Sequence, residues 1–93
     1  MPEPLQSYVI KPYARMEMRR RQITEEQVRA VLSAPGQILP AAWGRRIYQS
    51  RLFVPEAQKE YLFRVVVDFG PTPPEVVTVY RTSKIEKYWR ARL

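Results

Sequence analysis

The sequence predicts an α+β fold, with two helices first, an antiparallel meander of three to four strands next, and a short helix at the end. Three observations carry this. A capping signature stands at Thr24, the hydrophobic period switches from helical to alternating after Gly36, and a β-branched run before Arg81 leads almost directly into a second helix-start pattern.

Pro12 suits the first turn of a helix, where its missing N–H costs nothing, and Ala14 with Met18 share one face, so the first helix is expected from Pro12 to about Arg21. In Ile23-Thr24-Glu25-Glu26-Gln27-Val28, Thr24 and Gln27 have the spacing of a capping box, and Ile23 and Val28 that of a hydrophobic staple. Val28, Val31 and Leu32 extend this second helix until Ala34-Pro35-Gly36 ends it. The connection is only Gln22 and Ile23, which predicts a helical hairpin.

Ile38 and Leu39 are read as a short strand and Arg45 to Val54 as a longer one, followed by a turn at Pro55 to Gln58. In Tyr61 to Phe69 the odd positions are all apolar and the even ones mixed, which places one face in the core and directs Arg64 away from it. Gly70 to Pro74 breaks the pattern, and Glu75 to Arg81 is β-branched enough to form the last strand. Ser83-Lys84-Ile85-Glu86 has the spacing of a second capping box, and Ile85, Tyr88 and Trp89 share a face of a terminal helix of two to three turns.

Ninety-three residues with no long linker imply one domain spanning 1–93. No cysteine is present, which excludes a disulfide framework and a thiolate metal site. No histidine is present either, removing the commonest general base and the Ser-His and Cys-His nucleophile arrangements. The acidic residues show no metal-ligating spacing, so neither metal nor cofactor is expected. Met1 to Leu5 lack a basic start and apolar run, and no segment has the length of a membrane span, so a cytoplasmic location is expected.

Net charge is +7, with twelve arginines against four lysines. Guanidinium groups bind phosphate bidentately and stack on bases, which makes nucleic acid a candidate partner, although charge alone fits an acidic protein equally. Candidate nucleic-acid contacts are Arg19 and Arg21 at the end of the first helix, and Trp43 with Arg45 and Arg46 at a glycine-containing turn. The first pair is also explained by the helix macrodipole, and the second group by solvated edge charges. Tyr80, Arg81 and Lys84, with Tyr88 one turn on and Arg64 on a neighbouring strand, form the candidate catalytic set. Without histidine, phenol, lysine and arginine are left to move protons and to stabilise charge on phosphate. Ser83 and Glu86 read as capping residues only.

Tyr13 to Val28 and Val76 to Ile85 together resemble the prokaryotic family of uncharacterised domains DUF4258, which is associated with the RelE/ParE-like toxin superfamily. The family's first helix opens with His-Ala and carries an Arg before the Met, whereas this chain has Tyr13 and Glu17 at those positions. The resemblance implies a metal-independent endoribonuclease relying on basic and tyrosine side chains, RNA as target with or without the ribosome, and neutralisation by a cognate antitoxin. Loss of the histidine favours a second reading, a non-catalytic basic module that binds nucleic acid or an acidic protein. A third is a domain that self-associates through edge strands into a homodimer.

Overall fold

A computed structural model describes residues 3–91, so the expectations for Met1 and Pro2 lie outside the described residues. The elements run β1 (Val9–Ile10), α1 (Pro12–Arg20), α2 (Glu25–Ser33), β2 (Gln37–Pro40), β3 (Arg45–Val54), β4 (Lys59–Asp68), β5 (Glu75–Thr82) and α3 (Ile85–Tyr88). They build one five-stranded sheet in the order β1-β5-β4-β3-β2. The pairs from β2 to β5 are antiparallel, as the meander predicts, and β1 adds a parallel edge strand to β5. Two residues carry no detectable period, which is why β1 escapes the sequence reading.

Thr24 caps α2 as its spacing demands: its hydroxyl accepts from the Gln27 N–H at 3.1 Å, while the Gln27 side chain accepts from the Thr24 N–H at 2.9 Å. Ile23 and Val28 are both buried beside this box. The two helices follow one another through the short connection expected, with Arg15 of α1 paired to Glu25 of α2, but their main packing is on the sheet. α1 lies on β5 and α2 on β3 and β4, because the apolar stripe of each finds a larger apolar surface on the sheet than on the other helix.

Strand alternation gives the sheet two different faces. On the helix side Tyr48, Phe63, Val65, Val67, Val76 and Val79 meet Ala14, Met18, Val28, Val31 and Leu32 in the main core. Full burial of each large apolar side chain there contributes about 1.5–3 kcal/mol. Glu17 is also inside, 1% exposed, held by Arg21 at 2.7 Å and Arg20 at 3.0 Å. Glu17 therefore has its own counter-charges close by on the same helix turn. Tyr13 is exposed.

The C-terminus corrects the sequence reading. No capping box forms at Ser83 and Glu86; Lys84 is the N-cap without a side-chain bond, and its N–H donates to Thr82 Oγ1 at 3.0 Å instead. The helix is a single turn, Ile85–Tyr88, because Trp89 turns to an extended conformation. Residues 88–90 then cross the second face of the sheet.

Candidate functional site

That second face carries a polar ladder. Gln37 on β2, Gln49 on β3, Arg64 on β4 and Tyr80 on β5 are register partners, so alternation points all four the same way. They are bonded in sequence across four strands. Gln49 Nε2 donates to Gln37 Oε1 at 2.8 Å, Arg64 Nε donates to Gln49 Oε1 at 2.8 Å, and Arg64 Nη1 donates to the Tyr80 hydroxyl. Tyr88 closes the end: the Arg64 guanidinium lies 4.4 Å from the Tyr88 ring centroid, and the Tyr88 ring stands edge-on to that of Tyr80.

Arg64 points away from the helix-side core as expected, but not into solvent; it is 7% exposed. No carboxylate among the described residues is paired with it. Among the described residues its charge is met by an amide oxygen, a phenol and aromatic faces. The cover is the C-terminal segment. Gln37 Nε2 donates to the Arg90 carbonyl, the Arg90 N–H donates to Gln37 Oε1 at 3.1 Å, and Gln49 Nε2 donates to the Tyr88 carbonyl at 3.2 Å.

The candidate catalytic set is brought together only in part. Arg64, Tyr80 and Tyr88 converge, but Arg81 follows Tyr80 along a strand and so falls on the opposite face, where its guanidinium lies 4.8 Å from the Tyr61 ring centroid. It shares a cleft with Arg19 beside the α1–α2 turn. Lys84 stands in a separate cleft with Arg51 and Lys87. The expectation that Arg64, Arg81 and Lys84 share one surface is thus corrected. Sequence adjacency in a strand separates side chains, which is the reason.

Of the candidate nucleic-acid contacts, Arg21 is engaged internally, with Glu17 and with the Val79 carbonyl at 3.0 Å. Trp43, Arg45 and Arg46 remain together at the β2–β3 connection, lining an open cleft with Phe69. The turn has Trp43 at φ 60° and Gly44 at φ 73°, with the Arg45 N–H donating to the Ala42 carbonyl at 3.3 Å. Two consecutive left-handed residues closed by that bond make a type I′ hairpin turn, whose first central position favours Asn, Asp or Gly. Trp43 occupies it and is 89% exposed. Below it Arg46 lies 4.5 Å from the Phe69 ring centroid, while Arg45 stands opposite Asp68 on the other face.

Sequence reasoning missed Gln37 and Gln49. Each sits at a polar position of an alternating strand, and nothing local distinguishes a glutamine facing water from one covered by a segment 39 or 53 residues away.

These features define a small basic α+β domain with an antiparallel sheet, a buried polar ladder and an aromatic-tipped hairpin. The chain belongs to the family described as domain of unknown function DUF4258, which matches residues 10–81. The matched range ends before α3, so the covering segment lies beyond it. No curated protein and no solved structure matches the chain. Among the described residues no helix is long and apolar enough to cross a membrane, and no cluster of potential metal ligands occurs.

Proposed function

We propose that this domain binds single-stranded RNA, with Trp43 as a stacking platform and Arg45 and Arg46 as phosphate contacts. The observation that carries the reading is the conformation of Trp43. A bulky residue with positive φ costs about 1–2 kcal/mol relative to the ordinary regions, and this one recovers nothing by burial. A function at the turn tip accounts for a residue that folding does not favour there. A flat, exposed indole on a turn that leads into two arginines, one on each face of the strand, suits unstacked bases and a phosphate chain. The net charge of +7 supplies long-range attraction. The test is titration of a labelled single-stranded RNA at two salt concentrations against wild type and Trp43→Ala. Equal affinities for the two proteins reject the platform.

The second reading is RNA cleavage of the RelE/ParE-like kind, with neutralisation by an antitoxin. It is favoured by the convergence of Arg64, Tyr80 and Tyr88, a cation and two phenols in a chain without histidine. Separation of Arg81 and Lys84 from that group weighs against it. Incubating the same RNA with wild type and Arg64→Lys decides the matter, since cleavage at this centre requires products from the first and a sharp fall with the second.

A further inference from the structure

We propose that the donor row of Gln37, Gln49 and Arg64 is an oxyanion-binding site for a phosphate group, held closed by the protein's own residues 84–91. The inference rests on the RNA reading only for the source of that phosphate.

The buried guanidinium has no carboxylate partner among the described residues, so the ladder carries net positive charge into a poorly solvated place. What the ladder binds now are oxygens: the amide donors of Gln37 and Gln49 are directed at the carbonyls of Arg90 and Tyr88. These two carbonyls occupy the positions that the oxygens of an anionic ligand would take, but as dipoles they bring no negative charge to Arg64. A phosphate supplies both the acceptors and a negative charge that no described residue provides, and bonds of this charge-assisted kind are roughly twice as strong as neutral ones.

The cover is built to move. Its helix has one turn and buries no residue fully, so side-chain bonds to its backbone hold it, together with Trp89. Trp89 is clamped between Arg51, 4.6 Å from its ring centroid, and the backbone of Gly36. A Cβ on Gly36 would fall 2.8 Å from Trp89 Cη2 and 3.1 Å from the Gln49 carbonyl. Gly36 thus permits closure, and Gly36→Ala pushes the segment outward. Opening also withdraws Tyr88 from Arg64, which frees the guanidinium face for the incoming group.

The experiment reports on Trp89 in a Trp43→Phe background, where it is the remaining tryptophan, and adds inorganic phosphate in one arm and a short single-stranded RNA in the other. Binding of the labelled RNA is followed in parallel by anisotropy in proteins that retain Trp43, so that the proposed stacking platform is intact in that arm. The expected result is a red shift of Trp89 emission on ligand addition, and binding about three- to tenfold tighter in Gly36→Ala, because a larger fraction of the protein is already open. Trp89→Ala opens the segment by a different route and shows the same gain should Gly36→Ala fail to fold. RNA binding with unmoved Trp89 emission, and unchanged affinity in both opened variants, overturns the inference and leaves the RNA reading standing. A phosphate response without RNA binding rejects the RNA reading and retains the site. No response to either ligand in any variant overturns both.

Discussion

Arg64 donates from Nε to Gln49 Oε1 at 2.8 Å beneath the C-terminal segment, a bond between two strands that each looked, in sequence, like an ordinary strand with one wet face. Gln49 is wholly buried, so its amide depends on this ladder for both its acceptor and its donors. Truncating Arg64 to Ala leaves Gln49 Oε1 and the Tyr80 hydroxyl short of a partner. The expected loss is about 2–4 kcal/mol, combining an unsatisfied buried acceptor with lost packing, measured as a lower urea midpoint. A midpoint equal to that of wild type would mean that the ladder contributes nothing to folding.

Glu17→Gln tests the buried carboxylate on α1. Its oxygens are bonded to Arg20 and Arg21, whose side chains are partly in water, and Arg21 reaches on to the Val79 carbonyl of β5. Neutralising the acid weakens two charge-assisted bonds and the tether from α1 to the sheet. Because the arginines retain solvent, the expected cost is about 1–2 kcal/mol rather than the larger figure for a fully enclosed pair. Urea unfolding at pH 7 gives the value, and high salt is expected to narrow the difference.

Thr24→Ala removes the hydroxyl that accepts the Gln27 N–H, with loss of about 1 kcal/mol expected. Val28 stays buried under the staple, so RNA affinity is expected to be unchanged while the thermal midpoint falls. A fall in affinity would show that the α1–α2 turn, with Arg19 beside it, belongs to the binding surface.

These cases show what was legible. Thr24 and Gln27, three residues apart, make a cap that local sequence fully specifies, and the odd positions of β4 specify the helix-side core in the same way. Trp43, Arg45 and Arg46 were legible as a group because a turn keeps sequence neighbours together. Arg81 and Lys84 were not, since alternation sends Tyr80 and Arg81 to opposite faces while a bend past Thr82 carries Lys84 elsewhere. The cover over Arg64 was hidden for another reason. It depends on contacts between Gln37 and Arg90, far apart in the chain, and a capping pattern at Ser83 suggested a longer helix in its place.

Trp43→Asn separates folding from function most sharply. Asn is a favoured first central residue of a type I′ turn and precedes Gly44, so the substitution relieves the backbone and is expected to stabilise the fold by roughly 0.5–1 kcal/mol. The same change removes the exposed indole, and loss of one stacking platform weakens single-strand binding by about 1–3 kcal/mol, a tenfold or larger rise in Kd. Arg45→Ala and Arg46→Ala act differently, lowering affinity across RNA sequences and reducing the slope of affinity against salt by roughly one each. A stabilised Trp43→Asn that binds RNA as well as wild type would show that the residue at the tip is an accident of the turn. A stabilised variant with weakened binding means that the tryptophan is kept there, against the preference of its own backbone, for what it stacks on.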